Sequence, residues 1–319
     1  MRVSLLSILA SAALSHAGCF RGVCSQYSFD LEESINTDWM SKIPDPFEVA
    51  YLSIPGTHNS MTDQLGRHKL LQSQNANLAQ QLRAGIRYID ISGRLRGDKI
   101  KLYYGNRYTD YDLDDILNTA FDFLDEYPHE ALILRLHKGN WSSGEEDAFE
   151  DAVREYLEST NFIALRAHYR IYHGSTNGVI RSPTLGAIRG RVLLLQDFHT
   201  TFPARYGIPW RSKAMTVSNW KFIPGYIAMG VKWSLVKSAI TAASQAWDYR
   251  LHITYTSVSI GATPYKAAGG KTNQTRGIND RLGEFLSAGT VPRTGIVVMD
   301  FPGKDLINQI IRLNEQSYS

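Results

Sequence analysis

Apolar residues along this chain fall into short runs that are separated by longer amphipathic stretches. Eight runs from residue 49 onward are rich in the β-branched and aromatic residues that strands favour. Between the runs, apolar residues recur at helical spacing, most clearly over 113–126 and 145–159. The predicted strands lie at residues 49–54, 88–92, 100–104, 131–137, 192–196, 215–218, 252–259 and 296–300.

Strands that alternate with helices or long loops predict an α/β fold with a parallel sheet. Eight such strands favour a single, distorted TIM-type β/α barrel over an open doubly wound sheet. No Gly-rich phosphate or dinucleotide motif follows any run, and no Pro/Ser-rich linker divides the chain. We therefore predict one barrel over residues 49–314, preceded by a polar extension over residues 18–48.

The first 17 residues are typical of a secretory signal peptide. An apolar run over residues 3–14 is followed by Ser-His-Ala at residues 15–17, which offers small residues around a cleavage site. The protein is therefore predicted to be secreted, and Cys19 and Cys24 to form a disulfide near the new N-terminus. Two Asn-X-Ser/Thr glycosylation patterns begin at Asn140 and Asn273.

Composition excludes several protein classes and leaves one charged segment to explain. The chain has 319 residues, of which 43% are hydrophobic, and 34 Lys+Arg against 31 Asp+Glu give a net charge of +3. This balance excludes a disordered chain and gives no ground for a nucleic-acid partner. Residues 202–250, however, hold seven basic residues, one acidic residue and four of the six tryptophans. That segment suits contact with an anionic membrane surface, although the same aromatics could simply pack a helix on the barrel.

Polar side chains stand at the ends of four predicted strands. They are His58, Asp90, His137 and Asp300. Because side chains alternate along a strand, Asp90, Ser92 and Arg94 share one face of the second strand. Arg135 and His137 likewise share one face of the fourth strand. Because a β/α barrel builds its catalytic face from the C-terminal strand ends, we expect these side chains to meet at one mouth. Each could instead be structural. The histidines could have all their hydrogen bonds satisfied within the fold, Asp90 and Asp300 could be buried acceptors of backbone hydrogen bonds, and Arg135 could form an ion pair at the barrel rim.

The same strand ends resemble the catalytic X domain of phosphatidylinositol-specific phospholipase C. Residues 54–60 (IPGTHNS) are similar to the first signature of that family, and residues 84–95 (AGIRYIDISGRL) to the second. Residues 185–192 and 295–301 also match, so the resemblance extends over nearly all of the predicted barrel. It is closest to the single-domain secreted forms, because no accessory lipid-binding domain is present.

The resemblance implies a phosphodiesterase that uses the inositol 2-hydroxyl as an internal nucleophile. One histidine takes the hydroxyl proton, a second protonates the diacylglycerol oxygen, and a cation stabilises the phosphate. His58 matches the first histidine, Asp300 the carboxylate that orients it, and Asp90 an acidic partner on the second strand. The implied ligand is a phospholipid or an inositol phosphate headgroup.

Two family positions carry other residues here. Tyr104 stands where the family has its second histidine, and Ser92 stands where metal-independent members have a cation and calcium-dependent members a carboxylate. Local replacements are His137 as the acid and Arg135 or Lys138 as the cation. Asn59 and Asp90 resemble calcium ligands, but His137 stands where calcium-dependent members have a carboxylate on the fourth strand, and it suits a hard cation poorly. We therefore predict no metal and no cofactor, and calcium, whose ligand set is incomplete, is the alternative.

The predicted site comprises ten residues. The catalytic candidates are His58, Asp90, Asp300, Tyr104 and His137. The substrate-binding candidates are Asn59, Ser92, Arg94, Arg135 and Lys138. Three functions fit these residues: a secreted phospholipase C-like phosphodiesterase, which we favour, a pseudoenzyme that binds headgroups without efficient turnover, and a barrel reused for other chemistry.

Overall fold

The structure is a computed structural model that describes residues 17–33, 35–139, 146–174, 181–201, 205–222, 228–258, 260–270 and 275–317. Strands in these ranges are β1 (Gly18–Phe20), β2 (Val23–Ser25), β3 (Ile54–Thr57), β4 (Tyr88–Arg96), β5 (Lys99–Tyr104), β6 (Arg107–Asp112), β7 (Leu132–Lys138), β8 (Ile171–Tyr172), β9 (Val192–Asp197), β10 (Ile208–Pro209), β11 (Met215–Ser218), β12 (Leu251–Tyr255) and β13 (Ile296–Met299). Helices are α1 (Leu78–Arg83), α2 (Leu113–Glu126), α3 (Glu146–Glu158), α4 (Phe162–Arg170), α5 (Leu185–Ile188), α6 (Met229–Gln245), α7 (Pro264–Gly269), α8 (Ile278–Ser287) and α9 (Lys304–Arg312).

A curled parallel sheet forms the body of the protein. Its strands follow the order β10-β9-β7-β4-β3-β13-β12-β11, and every neighbouring pair in this order is parallel. Within the described ranges the two outermost strands, β10 and β11, do not pair, so the barrel is open on one side. The predicted α/β class and distorted TIM-type barrel are confirmed.

Two of the predicted strands are placed differently from the sequence-based expectation. Residues 49–51 form a 3-10 turn and the first barrel strand begins only at Ile54, because apolar burial alone does not distinguish a buried turn from a strand. The run at 100–104 belongs to β5, which pairs antiparallel with β4 and β6 instead of joining the barrel. A turn at Gly97, whose φ is 65°, reverses the chain between β4 and β5.

Alternation along the strands separates two cores. Tyr88 and Ile133 point into the barrel, whereas Ile89 and Leu134 pack outward against helices such as α2. The amphipathic stretch predicted at 113–126 is α2 itself, and its N-terminus is capped by Asp112 and Asp115 in a reciprocal capping box. Since side chains alternate, the inward face of β4 and β7 also carries the polar residues near the strand ends.

The N-terminal extension packs against the segment that follows β13. The predicted Cys19–Cys24 disulfide is confirmed and joins β1 to β2. Phe20 packs against Phe301 with ring centroids 5.2 Å apart, and the Phe29 amide donates to the Phe301 carbonyl at 3.1 Å. The extension therefore supports the segment that follows β13.

Several expectations concern residues outside the described ranges. They are the predicted signal peptide over residues 1–17, of which only Ala17 is described, and the glycosylation positions Asn140 and Asn273. In the ranges that the structure describes, no helix combines the length and the apolar character that a membrane span requires.

Candidate active site

The loop after β3 holds His58 at the barrel mouth, the end formed by the C-terminal ends of the strands. The His58 amide donates to the Met299 carbonyl at 2.9 Å, and the Gln74 side chain donates to the carbonyls of both His58 and Met299, each at 2.9 Å. Asn59 has φ of 43°, a left-handed conformation that asparagine tolerates better than most residues. These contacts fix the backbone around His58 before any ligand arrives.

His58 and Asp300 form a buried pair. The Nδ1 atom of His58 lies 2.8 Å from Oδ1 of Asp300, and each residue is about 2% exposed. The other carboxylate oxygen of Asp300 accepts from the Val258 backbone amide at 3.0 Å. The backbone carbonyl of Asp300 accepts from the side-chain amide of Asn279. A carboxylate at Nδ1 stabilises the tautomer with the proton on that nitrogen, so Nε2 is left as a base.

Three side chains surround the imidazole of His58. The rings of Tyr104 and Tyr255 meet it edge to face, with centroids 6.0 Å and 5.9 Å away. The amide nitrogen of Asn59 lies 2.9 Å from Nε2 and can donate to its lone pair. A substrate hydroxyl that uses Nε2 as its base must therefore displace Asn59.

Arg135 joins two carboxylates across the barrel mouth. Its guanidinium donates to Asp90 at 2.8 Å and to Asp197 at 3.0 Å, and also to the Tyr255 hydroxyl at 3.2 Å. It lies over the Trp210 ring at 4.2 Å from the centroid. Burial opposes the charge, but Asp90 and its other acidic neighbours raise the pKa of Arg135 above its ordinary value, so the cation is permanent.

His137 lies beside the second of these carboxylates. Its Nδ1 atom is 3.0 Å from Oδ2 of Asp197, in an approach without hydrogen-bond geometry. Burial acts to raise the pKa of Asp197, yet the His137 contact and the Arg135 charge outweigh it and hold that pKa below the usual value. Asp197 is therefore an anion that lies beside His137.

These groups enclose a cavity of about 180 Å³. Its lining residues are His58, Asn59, Asp90, Ile91, Ser92, Arg94, Tyr104, Gly105, Arg135, His137, Gly139 and Lys221. Eight of the ten predicted site residues line it, and a ninth, Asp300, supports it from behind through His58. The tenth, Lys138, forms an ion pair with Glu146 at 2.8 Å. It lines a neighbouring cavity of about 420 Å³, and His137 lines both cavities.

Three contributors to the site were not predicted from the sequence. Asp197 ends β9 one residue beyond the predicted run, so strand-end position could have identified it. Tyr255 is the last residue of β12, but the predicted run continued to residue 259, so strand-end position did not identify it. Lys221 lies in the loop after β11, and nothing in the sequence separates it from the other lysines of the basic segment. Unlike Arg135, Lys221 forms no ion pair within the described part of the chain.

Two residues of the site resemble calcium ligands. Asp90 and Asn59 line the same cavity, but Arg135 already occupies an oxygen of Asp90. The described ranges contain no group of three or more histidine, cysteine, aspartate or glutamate residues arranged to hold a metal ion. The Arg135 guanidinium therefore competes with any bound cation for the Asp90 carboxylate.

Comparison with known proteins gives matches over most of the chain. The family model "Phosphatidylinositol-specific phospholipase C, X domain" matches residues 52–197. A 1-phosphatidylinositol phosphodiesterase of Listeria monocytogenes is 31% identical over 305 residues, which cover 89% of this chain and 87% of the relative. One from Staphylococcus aureus is 24% identical and covers 87% and 94%. The solved phosphatidylinositol-specific phospholipase C of L. monocytogenes superposes with a TM-score of 0.68 at 29% identity, over 87% of this chain and 98% of that one.

Proposed function

The chain belongs to the phosphatidylinositol-specific phospholipase C family, and on that premise we propose that it is a phosphoric diester hydrolase that cleaves phosphatidylinositol or a closely related lipid. The observation that carries the proposal is the buried His58–Asp300 pair, which lies at a cavity that is also lined by the basic side chains of Arg94, Arg135 and Lys221. Removal of a hydroxyl proton near a phosphate requires a base with a fixed tautomer beside a site that binds an anion.

His58 acts as the general base in this proposal. Its Nε2 takes the proton of the inositol 2-hydroxyl while that oxygen bonds to phosphorus. The bond from phosphorus to the diacylglycerol oxygen breaks on the opposite side, and His137 gives that oxygen its proton. The products are diacylglycerol and a cyclic inositol phosphate. Each histidine ends in the other protonation state, and later opening of the cyclic phosphate by water can reverse both.

Charge on the transferring phosphate is stabilised by cations that reach the cavity from three elements. Lys221 comes from the loop after β11, Arg94 from β4 and Arg135 from β7. Arg135 is shared by two carboxylates, so Lys221 contributes the less compensated charge. This set would replace the cation that Ser92 cannot supply. The donor set also leads us to propose that turnover does not depend on calcium.

Turnover of phosphatidylinositol vesicles tests the proposed function. We expect release of water-soluble inositol phosphate in chelator and no stimulation by calcium, whereas phosphatidylcholine vesicles release no headgroup. Headgroup binding without turnover would instead establish the pseudoenzyme alternative. Activity that appears only with calcium would contradict the metal-independent scheme.

Replacement of His137 tests the assignment of the acid. His137→Gln should lower kcat by about two to four orders of magnitude, the range for loss of a general acid. Adding Tyr104→His in that background should restore part of the loss, because the new imidazole would face His58. His199→Gln is the matched control, since His199 is exposed and lines only the neighbouring cavity. Unchanged kcat in His137→Gln would remove His137 from the mechanism.

We further propose that the barrel mouth, at the C-terminal ends of the strands, rests on a lipid surface. Exposed apolar side chains lie on three segments near Lys221: Trp220 and Phe222 flank it in the chain, Ile260 lies on the loop bridged to it, and Val231 and Leu235 lie on α6. Phe222 and Ile260 are joined by a bridge between their loops. Apolar side chains beside a lysine suit an interface with anionic lipids. The other three tryptophans of the basic segment differ: Trp210 lies against Arg135, Trp233 packs on Phe285, and Trp247 packs on Tyr51 below β3.

Vesicle sedimentation tests this surface. Trp220→Ser with Phe222→Ser should weaken partition onto phosphatidylglycerol-containing vesicles by about tenfold or more, because two apolar anchors are lost. Trp247→Ser is the control, because Trp247 is more exposed than either residue but lies at the opposite end of the barrel. Equal weakening by both changes would show that general surface hydrophobicity, not this surface, drives binding.

Export of the protein is also a proposal, and the disulfide supports it. The Cys19–Cys24 bond directly follows the predicted signal segment, and such bonds persist in oxidising compartments. Fractionation of the producing cells should place the mature protein outside the cytoplasm, whereas retention of the full-length chain inside would contradict export.

A further inference from the structure

Lys232 is a buried lysine for which the chemistry above has no use. It lies in the first turn of α6 and is 1% exposed. Its Nζ donates to two backbone carbonyls, those of Trp220 and Tyr255, each at 2.7 Å. One carbonyl belongs to the loop after β11 and the other to the last residue of β12, so the ammonium joins two neighbouring strand ends.

Keeping an ammonium at this place is unfavourable. Burial lowers the pKa of Lys232 to about 7; the Asp300 carboxylate opposes this and the Lys221 charge adds to it. An apolar side chain would fill the same position without desolvating a charge. The two carbonyls that Lys232 satisfies are therefore the feature that distinguishes it from a leucine or methionine.

Both carbonyls are next to residues of the cavity. The Trp220 carbonyl belongs to the peptide bond that leads into Lys221, the cation with no ion pair in the described ranges. The Tyr255 carbonyl fixes the residue whose ring lies on His58 and whose hydroxyl accepts from Arg135. The Lys221 loop has one more tie, since the Lys221 carbonyl accepts the Ile260 amide at 3.2 Å.

We propose that Lys232 is a positioning residue that clamps the loop carrying Lys221 to the end of β12 and so holds the Lys221 ammonium over the phosphate site. This inference rests on the proposed function, because it assigns Lys221 to phosphate. Lys232 touches neither substrate nor His58 in this scheme. Its effect on catalysis passes through the Trp220–Lys221 peptide.

Steady-state kinetics of Lys232→Met on phosphatidylinositol vesicles tests the clamp. KM should rise about tenfold, on the scale of one lost charge-assisted hydrogen bond, while kcat stays within about twofold because His58 and Asp300 are untouched. A merely structural role would do the opposite: it would reduce the folded fraction, lowering apparent kcat at constant KM. Lys237→Met, an exposed lysine on the same helix, is the matched control and should leave both constants unchanged.

A double-mutant cycle shows whether Lys232 acts through Lys221. Lys221→Met with Lys232→Met should be no worse than Lys221→Met alone, because the clamp has no purpose without the ammonium it holds. Additive losses, or a normal KM in Lys232→Met, would overturn the clamp. If Lys232→Met does not fold, Lys232→Gln keeps amide donors on a similar stem and should give an intermediate KM.

Calorimetric binding of inositol 1-phosphate separates this proposal from the proposed function. If the wild type binds the probe without turnover, the function fails, while weaker binding by Lys232→Met would still support the clamp. Turnover by the wild type with unchanged KM and unchanged probe binding in Lys232→Met would overturn the clamp alone. If the wild type neither turns over the lipid nor binds the probe, both proposals fall.

Discussion

Asp300→Asn is expected to lower kcat about as severely as His58→Ala, by roughly two to four orders of magnitude. In the wild type one carboxylate oxygen accepts the Val258 amide and the other faces Nδ1 of His58. In the asparagine variant the amide oxygen stays with Val258, so the amide NH₂ faces Nδ1. That arrangement favours the tautomer with its proton on Nε2, which cannot accept the substrate proton.

Kinetics and structure together make this prediction specific. Asp300→Asn keeps nearly the same shape, so its fold and its affinity for inositol 1-phosphate should stay close to those of the wild type. A loss of kcat without loss of probe binding would therefore identify the tautomer as the cause. If Asp300→Asn retained kcat, or if His58→Ala turned the lipid over normally, His58 would not be the base.

Arg135→Met should damage both stability and activity. The change leaves Asp90 and Asp197 facing each other across the mouth without the cation that joins them. Breaking a buried pair by removing one partner costs about 3–5 kcal/mol in the free energy of unfolding. Lysine should not rescue the variant fully, because a point charge does not span two carboxylates as a planar guanidinium does.

The stability difference should depend on pH in a defined direction. Asp197 has a pKa below its unfolded value, so its contribution is present above the unfolded pKa and is lost as the pH falls through the folded one. Urea unfolding should therefore show a large gap between wild type and Arg135→Met at pH 7. The gap should shrink below about pH 4, where aspartates in the unfolded chain become protonated. A gap that is constant from pH 7 to pH 3 would mean that packing, and not charge, accounts for the loss.

Much of the fold follows from local sequence pattern, because the barrel strands are continuous apolar runs and α2 has clear helical spacing and caps. The errors arise where tertiary context decides. Residues 100–104 have a strand pattern, but the pattern does not say which neighbour they pair with. Residues 49–51 are buried without being extended, which periodicity cannot reveal.

The site was predictable where chemistry lies at strand ends and unpredictable where it depends on pairing in space. His58 and Asp90 were found because barrel strand ends converge. That Arg135 would be shared between Asp90 and Asp197 could not be inferred, since its partners are 45 and 62 residues away in the chain. Lys221 reaches the cavity from an irregular loop, so only the folded structure shows that it lines the site, where we propose that it replaces the cation missing at Ser92.

Phosphorus NMR of phosphatidylinositol vesicles with the wild-type protein tests the central claim most directly. Attack by the inositol 2-hydroxyl, with His58 as its base, predicts that a cyclic phosphodiester signal grows as the lipid signal falls, and that His58→Ala abolishes it. A monoester formed with no cyclic precursor would show that water attacks instead. An unchanged lipid signal, under conditions where inositol 1-phosphate binds, would contradict the enzyme assignment altogether.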